Sequence, residues 1–136
     1  MLSPSQAARL ESFLAPSRIA VVGTLGGTGM PQLTPNWYVY QDGCLSFSTT
    51  KERVKYRNLS RDGRISVCVY SGTLAEDYVT IRGRAVITED DSIWPLTRVI
   101  AERYLCPGRV EERMQQLRGE NRVIVSLVPE GVVFGG

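Results

Sequence analysis

The 136-residue chain contains no histidine, and that absence removes whole classes of chemistry. Ser-His-Asp and Cys-His catalysis lose their base, and zinc sites built on imidazole lose their ligand. Cysteine is scarce too. Cys44, Cys68 and Cys106 form no C-x-x-C pair, and an odd number argues against a disulfide framework and for a reducing, cytoplasmic setting. Cys44 and Cys68 fall in strand patterns as small core residues, and Cys106 precedes Pro107-Gly108 at a helix end. A nucleophilic thiolate would need a nearby base, which the composition does not supply. Long apolar runs are missing as well. Ile19–Val22 and Val123–Val128 are strand-length, far short of the roughly 20 residues of a membrane span. The opening SPSQAARLESFLA reads as an amphipathic helix rather than a basic stretch before an apolar one, so no signal peptide is expected. A net charge of +2 without any basic arm gives no reason to expect a nucleic-acid partner.

What remains is a chain of one-domain size, residues 1–136, with 43% hydrophobic residues and enough length to bury a core unaided. Ser3-Pro4 predicts a helix start, with Pro at the first helical position. Arg18–Leu25 is β-rich, Gly26-Gly27-Thr28-Gly29 is a turn, and Met30–Tyr40 (MPQLTPNWYVY) reads as the return strand of a hairpin. Pro35 cannot donate to a ladder, so that strand is expected to bend or bulge there. Asp42-Gly43 predicts a second hairpin turn before the strand Cys44–Thr49. Strands follow at residues 64–70 and 77–89, the second interrupted by Gly83, with a helix from Asp90 to Tyr104 that carries Pro95 in its first turn. A charged helical piece from Arg109 to Leu117 ends at Gly119, and Arg122–Val128 forms a last core strand before a turn at Pro129-Glu130-Gly131. About six strands joined mostly by tight turns, with a helix between the third and fourth, predict a small closed or split antiparallel barrel with flanking helices.

The segment CLSFSTTKERVKYRNLSRDG, residues 44–63, carries the strongest chemical signal. An alternating strand ends in Ser48, Thr49 and Thr50 and runs into a helix bearing Lys51, Arg53, Lys55 and Arg57. Hydroxyls, unsatisfied N–H groups and cations at a helix start suit a phosphate. The same pattern also fits a capped surface helix with solvated charges. On an ideal helix Lys51, Lys55 and Asn58 share one face while Arg53 and Arg57 share another, so the cations cannot all converge on one anion. Trp37, Tyr38, Trp94 and Tyr104 read as core packing, with Trp37 the exception because it follows the bent PQLTP strand.

The order of hairpin PQLTPNWYVY, strand LSFSTT, basic helix KERVKYRNLSRDGR and strands ISVCVY and YVTIRGRAVI resembles the FMN-binding split-barrel superfamily. Its members include pyridoxamine 5'-phosphate oxidase-like proteins and flavin/deazaflavin oxidoreductases, among them the branch that uses coenzyme F420. The most specific match is T-x-x-R-x-K-x-R-N-L, here Thr50, Arg53, Lys55, Arg57, Asn58 and Leu59. The resemblance implies that Arg53 and Lys55 contact cofactor phosphate, with Arg57 and Asn58 as accessory contacts and Lys51 left on the surface. It further implies that Ser48, Thr49 and Thr50 line the ribityl and phosphate path. Gln32, Thr34, Pro35, Asn36 and Trp37 would then pass beside the tricyclic ring, and Tyr78 would approach it across a homodimer interface.

The same resemblance implies a coenzyme F420-dependent oxidoreductase passing hydride to an unsaturated or quinone-like small molecule. The protein would supply orientation and electrostatics. No catalytic acid or base is identifiable, and the accompanying proton would come from water or a tyrosine. FMN is the alternative cofactor, since both carry a ribityl phosphate on a related tricycle. A noncatalytic flavin- or haem-binding barrel is a further alternative, which the missing histidine weakens for haem. A pyridoxamine 5'-phosphate oxidase would need a second phosphate site, and none is evident.

Overall fold

A computed structural model describes all 136 residues, Met1 to Gly136. Helix α1 (Pro4–Leu14) is started by a reciprocal cap: Gln6 N–H donates to Ser3 Oγ at 3.1 Å, and Ser3 N–H donates to Gln6 Oε1 at 2.9 Å. Two of the helix's orphan donors are thereby satisfied. Strands β1 (Ala20–Leu25), β2 (Pro31–Asn36), β3 (Val39–Gln41) and β4 (Cys44–Thr50) follow, then helix α2 (Val54–Arg61) and strands β5 (Arg64–Tyr70) and β6 (Tyr78–Thr88). Helices α3 (Ile93–Tyr104) and α4 (Pro107–Arg118) precede the long last strand β7 (Arg122–Gly135).

All seven strands belong to one antiparallel sheet in the order β2-β1-β5-β6-β7-β4-β3. That order dictates the curvature. β2 and β3 are opposite edges of the sheet, yet only Trp37 and Tyr38 separate them in the chain. Six interstrand spacings of about 4.8 Å would put the edges of a flat sheet about 29 Å apart. Three Cα steps reach at most about 11 Å. The sheet therefore curls until its edges approach, giving the curled half-barrel of a split-barrel fold. Alternation does the rest: the inward residues Ala20, Val22, Leu45, Phe47, Ile65, Val67, Val69, Val79, Ile81, Val123, Val125 and Leu127 join Leu10 and Leu14 of α1 in one buried cluster.

The expected barrel class holds, and three details differ. There are seven strands rather than about six, because the segment read as one strand over Met30–Tyr40 breaks at Trp37-Tyr38 and resumes in β3 on the other edge. The bend lies two residues beyond Pro35, whose position on the free edge strand leaves its missing N–H without cost. Pro129-Glu130-Gly131 does not end the last strand. β7 continues to Gly135 with a bulge, in which Arg82 pairs with Gly131, Gly83 pairs with Pro129, and Glu130 is the extra residue. Gly83 was expected to mark a bend, and the register shift falls there: a Cβ on Gly83 would lie 2.0 Å from the Val128 carbonyl oxygen. The third difference is that three residues intervene between β4 and α2, so Thr50 ends the strand and Arg53 is the N-cap.

Helices α3 and α4, inserted between β6 and β7, carry two smaller clusters. Ile93 and Ile100 pack with Val39 and Ile124, and Ala101 packs with Val110, Met114 and Leu117. This helical pair forms the roof of the cavity described next.

Candidate functional site

The seam between the two sheet edges opens into a cavity of about 420 Å³. Pro35, Asn36 and Trp37 line it from the β2 edge, Ser48 and Thr49 from β4, and Arg53 and Lys55 from the start of α2. Its helical wall consists of Thr97, Ile100 and Ala101 on α3 with Arg113 and Leu117 on α4, while Ile19 and Arg122 complete the lining. The wall holds four cations and no carboxylate.

Lys55 is the unusual one. It is only 7% exposed, and its ammonium has a single protein partner, the Thr34 hydroxyl at 3.1 Å. Burial, reinforced by Arg53 and Arg122, holds its pKa below the ordinary lysine value. A buried cation without a counter-charge is costly unless something anionic completes it. The bond to Thr34 also crosses the seam, joining α2 to the β2 edge. Close by, the Ser48 hydroxyl is buried with no hydrogen-bond partner, a second sign of a wall that polar ligand atoms would finish.

The other sequence-predicted residues are distributed as follows. Pro35, Asn36, Trp37, Ser48, Thr49, Arg53 and Lys55 meet at the cavity. Thr34 stands behind it, accepting from Lys55 Nζ and from Asn36 Nδ2. Gln32 is half-buried farther along β2, and its Oε1 has no partner. Thr50, buried at the end of β4, borders a shallow polar groove shared with Arg53. Arg57 is exposed and donates to the Glu52 carbonyl at 3.1 Å. Asn58 is buried and tethers α2 to the first hairpin: its amide donates to Thr24 Oγ1 at 3.0 Å, while Arg61 bridges Asn58 Oδ1 and the Leu25 carbonyl. Tyr78, at the start of β6, lies over Gly135 and is 39% exposed. Lys51 pairs with Glu89 at 2.7 Å outside the cavity.

Trp37 leaves β2 at the break and stacks on Tyr104, ring centroids 5.0 Å apart and 4° from parallel. Tyr104 is fixed by its hydroxyl, which donates to the Arg18 carbonyl at 2.5 Å and accepts from the Tyr38 N–H at 3.2 Å. The neighbouring Tyr38 is fully buried. Its hydroxyl donates to the carbonyls of Leu14 and Pro16, each at 3.0 Å, and burial pushes its pKa up to about 12. Arg103 Nε donates to the Tyr38 carbonyl at 2.8 Å, so the end of α3 grips the break on both sides.

Arg113 and Arg122 were not anticipated as site residues. The sequence shows Arg113 in a charged helix and Arg122 at the start of a core strand, and neither lies near the basic motif in the chain. The spacing of Arg113 and Leu117, one polar and one apolar residue four apart, was the available clue.

A curled antiparallel sheet with a cation-lined seam beneath a helical pair defines a split barrel whose cavity is electrostatically suited to an anion. The chain belongs to the pyridoxamine 5'-phosphate oxidase family, whose profile matches residues 7–134. No curated protein matches it in sequence. Among solved structures it is similar to the conserved protein Rv2991 from Mycobacterium tuberculosis, with 27% identity over 99% of this chain and 85% of that one, at a TM-score of 0.80. An F420 reductase shares the fold at 22% identity, covering 90% of this chain and 94% of that one, with a TM-score of 0.69. So does HutZ, the haem storage protein of Vibrio cholerae, at 17% identity over 95% and 94% of the two chains and a TM-score of 0.74.

Proposed function

We propose that the protein is an oxidoreductase that binds coenzyme F420 in the seam cavity, with FMN as the alternative cofactor. The observation that carries this reading is Lys55: a buried ammonium without a carboxylate partner, beside the unpartnered Ser48 hydroxyl and the free guanidinium of Arg53. These groups fit a phosphate, and the cavity volume fits a tricyclic ring system. Lys55 and Arg53 would hold the phosphate by charge-assisted bonds, Ser48 and Thr49 would receive ribityl hydroxyls, and Asn36 and Trp37 would border the ring. When bound, the cofactor supplies hydride transfer to an unsaturated or quinone-like small molecule. Tyr38 is unsuited to provide the proton, because its hydroxyl is sealed onto two carbonyls and its pKa is raised. Water entering the cavity is the remaining source.

The reading includes a homodimer. Leu33, Val86, Val128 and Val133 are exposed apolar residues on the strands, and covering them with a second copy would bring Tyr78 toward a neighbouring site. Titrating the purified protein separately with coenzyme F420 and with FMN, followed by visible absorbance and turnover with the reduced coenzyme, tests the assignment. Binding and turnover with the deazaflavin are expected; tight FMN binding with no affinity for the deazaflavin would transfer the site to the alternative.

A further inference from the structure

The cavity carries more positive charge than one phosphate balances. Arg122 is already neutralised by Glu120, to which its Nε and Nη2 donate at 3.1 and 2.8 Å. Arg53, Lys55 and Arg113 are in no ion pair, and no acidic side chain lines the wall. A phosphate brings about −1.5 to −2 charge at neutral pH as a monoester, as in FMN, and only about −1 as a diester, as in the deazaflavin. About one to two positive charges are left over. Arg53 and Lys55 lie together at the start of α2, so the surplus falls on Arg113 of the helical wall. That half-buried side chain bonds only to the neutral amide of Gln116, at 3.2 Å.

We propose that the ligand bears a second anionic group, a carboxylate, and that Arg113 binds it. The inference rests on the reading that the cavity holds a phosphate-bearing flavin-type cofactor. Helix α4 is a firm platform for this contact, because Val110, Met114 and Leu117 anchor it against Ala101. A guanidinium presents two parallel donors that match the two carboxylate oxygens, where a lysine would offer a point charge. The carboxylate has two possible sources. It belongs either to an acidic tail on the cofactor, such as the glutamyl groups of the deazaflavin, or to an unsaturated carboxylic acid seated beside the ring.

Fluorescence titrations of the wild-type protein and of Arg113→Gln with coenzyme F420 and with FMN distinguish these sources, since FMN has the phosphate but no carboxylate. A second arm titrates the FMN-loaded proteins with cinnamate and with neutral cinnamamide. A loss of roughly tenfold or more for the deazaflavin, with FMN held within about twofold, supports the cofactor's own carboxylate. Unchanged cofactor affinities with loss of the preference for cinnamate over cinnamamide support the substrate's. Equal losses for both cofactors, or no change in any arm, overturn the proposal. Lys55→Met separates the two levels. If the wild-type protein binds both cofactors and Lys55→Met weakens both while Arg113→Gln alters nothing, the second anion fails and the cofactor reading stands. If the wild-type protein binds neither cofactor, both fall.

Discussion

At the scale of single residues, Lys55 places binding and stability in opposition. In the proposed site its charge would hold the cofactor phosphate, and the folded protein without a ligand bears the desolvation cost of keeping that charge buried. Lys55→Met is therefore expected to weaken cofactor binding by about 1–3 kcal/mol while raising the melting temperature of the ligand-free protein. A mutant that melts lower and binds as before would contradict both expectations. The pH dependence follows from the direction of the shift. With its folded pKa below the unfolded value, Lys55 binds fewer protons in the folded state across the window between the two, so ligand-free stability from this group rises with pH there. The proposed affinity runs the other way, because a bound phosphate would need the ammonium. Cofactor binding is expected to fall as pH rises through the lowered pKa, earlier than an ordinary lysine would dictate, and Lys55→Met is expected to remove that slope. Asn58, close in the chain, differs in kind. Its amide is engaged by Thr24 and Arg61, so Asn58→Ala is expected to cost about 1–3 kcal/mol in thermal or urea unfolding and to leave the affinity of the folded fraction nearly unchanged.

Elements show which patterns the chain could reveal. The basic stretch after β4 was legible because strand alternation, hydroxyls and cations are contiguous there, and Arg53 and Lys55 do reach one cavity. They do so because Arg53 is the N-cap in extended conformation while Lys55 lies in the first helical turn. Ideal helical periodicity would have separated them. The continuation of β7 was not legible, since Pro129-Glu130-Gly131 has turn chemistry and only the partner strand, with its glycine, converts it into a bulge. Gly83 is consequently fixed by packing against a neighbouring backbone rather than by its own dihedrals. Gly83→Ala is expected to destabilise the protein by about 2 kcal/mol or more, read by chemical denaturation, as β6 and β7 move apart to admit the methyl group. The roof helices illustrate a different limit: which of their residues face a cavity depends on how α3 and α4 dock, and Arg113 emerged only from that docking.

For the whole molecule, composition and turn spacing were enough to indicate an antiparallel barrel, whereas the position of the opening depended on strand order. The exposed apolar residues belong to this scale as well. Leu33 is 67% exposed on the edge strand, and Leu33→Lys is expected to shift a dimer toward monomer in sedimentation equilibrium without lowering the monomer's helix and strand content. A wild-type monomer at high concentration would remove the interface from the proposal. The seam itself has a further consequence. Every strand has its neighbours in place without any pairing between β2 and β3, so the ladder bonds alone do not set the radius of the sheet. Trp37 and Tyr38, gripped by Arg103 and Tyr104, act as the clasp of a hoop whose circumference is otherwise free to relax. Lengthening that clasp by a few glycines between the two aromatics is expected to leave the circular dichroism of the strands intact while cofactor affinity drops, because the molecule would keep its fabric and lose its gauge.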